Sequence, residues 1–97
     1  MTRTLSMTRT IRHNTTDHRF EYSEKGLLCR LDYRLDPPTM HLLHTRVPGA
    51  LGGRGIAAEL LKAALKTAQS NNWKVKSHCS YIDHFFSKNP SYQFLLA

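Results

Sequence analysis

With 97 residues, 40% of them hydrophobic and 22% charged, the chain has the size of one small domain with a single core, burying roughly 60–65% of its unfolded surface. No apolar run approaches the ~18 residues needed to cross a bilayer, the N-terminus lacks an apolar signal-peptide core, and Cys29 and Cys79 are too few for a disulfide scaffold. These features predict a cytoplasmic monomer with reduced thiols, in which the Asn14-Thr15-Thr16 sequon carries no meaning.

A formal charge of +7 and a pI near 9.9 raise nucleic acid as a partner. The basic residues are nonetheless scattered from Arg3 to Lys88, without a block of like charges and without aromatic residues alternating among them as a stacking platform requires. The reading therefore favours a soluble basic surface over a nucleic-acid or membrane partner. Such a field also attracts a polyanionic cofactor or an acidic substrate.

In chain order, residues 1 to about 16, where the opening Met-Thr-Arg-Thr is echoed at position 7, hold little apolar content and read as a flexible tail before a domain over 17–97. His18, Phe20 and Tyr22 alternate with Arg19 and Glu21 as a first strand, and Ser23 to Gly26 is turn chemistry. Leu27, Cys29, Leu31, Tyr33 and Leu35 repeat with period two, the mark of a half-buried strand. After the Asp36-Pro37-Pro38-Thr39 turn, Met40 to Val47 forms a third strand with apolar residues on both faces, as in a covered sheet.

Leu51-Gly52-Gly53-Arg54-Gly55-Ile56-Ala57 then leads into a helix. Ile56, Leu60, Leu61, Ala64, Leu65 and Ala68 fall on one helical face, and Asn71-Asn72 ends it. Trp73, Val75, Ser77 and Cys79 alternate as a fourth strand before a short aromatic helix from about Ser80 to Lys88. The expected fold is α+β: an antiparallel three-stranded meander followed by α-β-α, with the crossover helix returning the last strand parallel to the third in a mixed sheet.

The glycine turn is the most informative stretch. Glycines let backbone N–H groups approach a ligand, and the helix behind aims its positive end at the same point, which suits a phosphate. No Gly-Lys-Ser/Thr follows, and the third glycine and downstream acidic residue of a dinucleotide fingerprint are missing.

Three stretches, His44-Thr45-Arg46-Val47-Pro48 with the glycine turn, Ser77-His78-Cys79-Ser80-Tyr81, and Lys88-Asn89-Pro90-Ser91-Tyr92, together resemble the small GCN5-related N-acetyltransferase-like (GNAT) proteins of the YjdJ type, over about Phe20 to Leu96. The resemblance implies acetyl-CoA binding, with the pyrophosphate over the amides of Gly53, Arg54, Gly55, Ile56 and Ala57 and the pantetheine arm between the splayed third and fourth strands, beside Thr45, Arg46 and Val47. Gly55 and Ala57 match the last positions of the family's loop pattern, whereas Gly52 stands where that pattern has Arg or Gln. Arg54 could add a charged contact to phosphate. By position, Ser80, Tyr81 and Asn89 meet the pantetheine or adenine end.

Cys79, beside His78 and just before a helix, is the candidate for chemistry. Its strand parity with Trp73 and Val75 equally fits a small buried residue lining the pocket. Some relatives carry Glu directly before His-Thr; Leu43 stands there here, leaving His44 as the titratable group on that strand and the candidate base, or else a packed core histidine. His41 and His44 with His78 and Cys79 raise zinc, but alternation places His41 and His44 on opposite sheet faces and the cysteine spacing is wrong for a finger, which argues against a metal site. The leading expectation is an acetyl-CoA-binding N-acetyltransferase acting on an amine, a protein lysine or a small polyamine. The missing carboxylate motivates the alternative of a non-catalytic acyl-CoA-binding or sensing module.

Overall fold

The computed structural model describes residues 9–97. Five strands form one sheet in the order β1 (Arg12–Asn14), β2 (Arg19–Glu24), β3 (Leu27–Asp36), β4 (Thr39–Arg46) and β5 (Lys74–Ser77). The first four run antiparallel and β5 returns parallel to β4, through α1 (Ile56–Ser70). After β5 the chain forms α2 (Ser80–Lys88) and a 3₁₀ segment, Pro90–Leu95, before Leu96 bridges to Val75 along the outer edge of β5. No helix among the described residues is long and apolar enough to cross a membrane.

The meander thus has four strands, one more than the sequence predicts. β1 lies inside the stretch read as tail, whose residues 1–8 fall outside the described residues. Arg12, His13 and Asn14 pair with Glu21, Phe20 and Arg19, and the Arg12 guanidinium bonds the Glu21 carboxylate. Polar pairing recruits this strand together with His13, which stacks on Phe20 at 4.2 Å, and Ile11, which packs against the core. The β2–β3 hairpin closes through Lys25 and Gly26, both at positive φ (53° and 74°), which matches the right-handed twist of the flanking strands.

Pairing sorts the side chains into two unlike faces. Phe20, Cys29, Leu31, Tyr33, Met40, Leu42 and Val75 share the face on which α1 packs Ile56, Leu60, Leu61, Ala64, Leu65 and Ala68, and Ile82, Phe85 and Phe86 of α2 join the same core. The opposite face carries Arg12, Glu21, Arg30, Asp32, Arg34, His41, His44, Arg46, Lys74 and Lys76, and no helix among the described residues covers it. The expectation of apolar residues on both faces of β4 therefore fails. Its cause is a β-bulge: Asp32 pairs with His44 but Tyr33 pairs with Leu42, so Leu43 is an extra residue in the ladder. The bulge shifts the alternation by one, placing His44 on the same open face as His41.

Candidate functional site

The bulge coincides with a parting of strands. β4 pairs with β5 only from Thr39 to Leu42, and the last contact is the His78 N–H donating to the Leu42 carbonyl at 2.9 Å. Beyond it β4 continues through Leu43, His44, Thr45 and Arg46 while the other chain turns at Cys79 into α2. The backbone of Leu43–Arg46 is left without a ladder partner on that side. Thr45 pairs with buried Leu31 on the core face, and its hydroxyl is buried without a hydrogen-bond partner. Such an orphan costs free energy unless something else satisfies it.

The glycine turn lies at the same end of the sheet. A 3₁₀ turn, Gly49–Leu51, leads from Pro48 to Gly52, and Gly53 and Gly55 take positive φ values of 74° and 79°. Gly55 caps α1 with its backbone, accepting the Glu59 N–H at 3.1 Å, and no side chain caps the helix. The N–H groups of Ile56, Ala57 and Ala58 therefore have no acceptor within the helix. A Cβ built on Gly53 or Gly55 would meet nothing within 4 Å, so the surface over the turn is open. A cavity of about 230 Å³ runs from Val47 and Leu51 past the glycines to Ala58, with Tyr81 of α2 as its far wall. Burial, and secondarily the charge of Cys79, pushes the Tyr81 phenol up, so it remains an O–H donor at neutral pH.

Of the residues expected at the site, Val47, Gly52, Gly53, Gly55, Ile56, Ala57 and Tyr81 line this cavity. Thr45 and Arg46 lie on the unpaired run of β4, Arg46 exposed on its open face, and Ser80 opens α2 beside Tyr81. Cys79 is half-buried against the core as the N-cap of α2; its N–H donates to Ser77 Oγ (3.4 Å) and its carbonyl accepts from the Ser77 hydroxyl (3.1 Å) and the Asp83 N–H (3.0 Å). His44 is exposed, opposite Asp32, and is not a packed core histidine.

Two of the expected residues are engaged within the protein. Arg54 does not reach over the turn: its guanidinium grips the Glu24 carboxylate at 2.8 and 3.1 Å, and Arg9 bonds the Arg54 carbonyl at 3.1 Å while pairing with Glu59. Asn89 caps α2 by donating to the Phe85 carbonyl at 2.8 Å, a structural role.

One contact lies beyond what alternation alone foresees, between two histidines that the sequence offers only within the disfavoured zinc set. His41 Nδ1 lies 2.9 Å from His78 Nε2, where the strands part. Burial, then the neighbouring Arg34 and His78, hold the His41 imidazole below the ordinary histidine range, so a neutral ring can share a proton with its partner.

The unpartnered groups here, N–H donors at the turn and unpaired backbone with one orphan hydroxyl along β4, suit a ligand that combines phosphate with an amide-bearing arm. The sequence model of the GCN5-related N-acetyl-transferase family matches residues 19–95, and the chain belongs to that family. In three dimensions it resembles the NMR structure of a GCN5-like protein from Staphylococcus aureus, with a TM-score of 0.73 and 30% identity over 95% of this chain and 91% of that one. Among curated proteins it is similar to Protein NATD1 of Xenopus tropicalis (42% identical over 57 residues, 59% of this chain and 52% of that protein) and of Homo sapiens (44% over 54 residues, 56% and 48%). The chain spans about half the length of these curated relatives.

Proposed function

We propose that the protein is an acetyl-CoA-dependent N-acetyltransferase of the small YjdJ-like kind, transferring an acetyl group to an amine. The observation that carries this reading is the meeting, at one end of the sheet, of an uncapped helix N-terminus behind two positive-φ glycines with the gap between β4 and β5. Acetyl-CoA, when bound, supplies an acetyl group activated as a thioester. The amides of Gly53 to Ala57 would hold its pyrophosphate, and the unpaired backbone of Leu43–Arg46 with the Thr45 hydroxyl would hold its arm. The Tyr81 hydroxyl is a donor suited to developing negative charge, and the His41–His78 pair and His44 present imidazoles that can accept an amine proton. Cys79 either lines the pocket or accepts the acetyl group in transit.

Leu43 favours a second reading. The residue that the bulge singles out at the parting of the strands is apolar, with no carboxylate to act as base, as suits a module that binds or senses acyl-CoA without turnover. Calorimetry with acetyl-CoA tests both readings, since absence of binding defeats them together. Release of free CoA thiol over a panel of amines then separates them: turnover above the uncatalysed background supports the enzyme, and binding without it supports the sensor.

A further inference from the structure

Cations that are scattered along the chain are gathered by the sheet. On its open face, the β3–β5 half presents Arg30, Arg34, Arg46, Lys74 and Lys76 against only Asp32 and Asp36. Arg30 pairs with Asp32, but Arg34, Arg46 and Lys76 have no carboxylate partner among the described residues. Arg34 stands opposite His41 and His41 opposite Lys76, so one row of positive and titratable groups crosses three strands at steps of about 4.8 Å. The β1–β2 half differs, because there Arg12 and Arg19 are both paired, with Glu21 between them and Asp17 beside Arg19.

The glycine turn and α1 occupy the helical side of the sheet. An arm that enters the gap from that side would offer its acetyl end toward the open face, where an acceptor would meet these cations first. Resting on the N-acetyltransferase reading, we propose that the acceptor is an amine carried on an acidic peptide, a lysine or N-terminal amine flanked by Asp and Glu, laid extended across Arg34, Arg46 and Lys76.

Three observations select this occupant. The cations extend along β4 from the level of Lys74 to Arg46, a length of roughly 25 Å, which fits six to eight extended residues rather than a metabolite. No Phe, Tyr or Trp side chain lies on this half of the face to stack a base. Nucleic acids also carry only aryl amines, whose delocalised lone pairs attack a thioester poorly. Polyamines and basic lysine-rich tails would bring like charge onto the face.

In the step itself the amine nitrogen forms a C–N bond to the acetyl carbonyl carbon and the thioester C–S bond breaks. The amine loses a proton to an imidazole or water and the departing thiolate gains one, leaving an amide and free CoA thiol.

The test uses the full chain, acetyl-CoA and three peptides of equal length with one central lysine, flanked by Asp/Glu, by Ser/Gly or by Arg/Lys. CoA release should show kcat/KM at least tenfold higher for the acidic peptide than for the neutral one, falling steeply between 50 and 300 mM salt. Combining Arg34→Glu with Lys76→Glu, both exposed, should abolish that preference while leaving acetyl-CoA affinity by calorimetry unchanged. Equal or better use of the neutral or basic peptide overturns the proposal. So does anisotropy showing that a labelled single-stranded RNA binds the face as tightly as the acidic peptide, or that the acidic peptide does not bind. If acetyl-CoA itself fails to bind while the acidic peptide does, the acetyltransferase reading falls and the cationic face that docks acidic peptides stands.

Discussion

Arg54 donates two hydrogen bonds to Glu24, at 2.8 and 3.1 Å, so the one cation of the glycine turn is committed to the end of β2 rather than to the concavity above its own backbone. Arg54, and then the Tyr22 hydroxyl, hold the Glu24 carboxyl below its usual range. Glu24→Gln removes the charge that detains Arg54. We expect acetyl-CoA to bind several-fold more tightly to this variant, with the gain shrinking as salt rises, as calorimetry at two ionic strengths would show. Unchanged affinity would mean that Arg54 cannot reach the phosphates even when freed.

Thr45→Val should move stability and binding in opposite directions. Replacing a buried, partnerless hydroxyl with a methyl of the same shape stabilises the fold by about 1 kcal/mol, readable in urea unfolding. If that hydroxyl is reserved for the ligand, acetyl-CoA affinity falls several-fold in the same variant. A purely structural residue would change stability alone.

Gly55→Ala forces an L side chain into φ 79°, at a cost of about 1 kcal/mol, although its Cβ would touch nothing. The helix cap should survive while the turn relaxes away from the conformation that presents its amides. The expected result is a loss of acetyl-CoA affinity of tenfold or more with little change in the circular dichroism of α1.

Glu21 sets the acid limit of the fold. It is 3% exposed beneath Arg12 and Arg19, whose hydrogen bonds, Arg12 first, lower its carboxyl to about 2 from an ordinary 4.5. Because the folded value is the depressed one, this stabilisation is complete above about pH 5 and is lost as pH falls through 2, on the order of 3 kcal/mol in all. Urea midpoints measured from pH 6 to pH 2.5 should fall steadily, and Glu21→Gln should flatten that dependence.

His41 faces Arg34 on β3, Lys76 on β5 and His78 just beyond it, with Asp36 as the nearby carboxylate. Arg34 depresses its protonation, so Arg34→Ala should move the His41 titration upward in pH, as NMR of the imidazole would read. The acid limb of any amine turnover that uses this pair should move upward with it.

The sequence exposed a good part of this architecture because α1 and β3 advertise themselves: Leu60, Leu61, Ala64 and Leu65 keep helical spacing, and Cys29, Leu31 and Tyr33 keep a strict period of two. The turn was legible too, since Gly53 and Gly55 sit where only glycine is at ease. What stayed hidden depended on partners distant in sequence. Arg12 makes a strand by meeting Glu21, Arg54 is claimed by a carboxylate 30 positions away, and Asn89 is used by the helix it ends. His44 was assigned to the wrong face because alternation along β4 gives no sign of a bulge, which exists only in the pairing with β3.

That extra residue makes β4 two strands spliced out of phase. Pairing Leu43 in simple alternation, without the bulge, would turn the second half of the strand over, driving His44 and Arg46 into the core and Thr45 into water. Which side chains of that half meet the core and which meet water is therefore set by the bulge and not by the order of apolar and polar residues along β4.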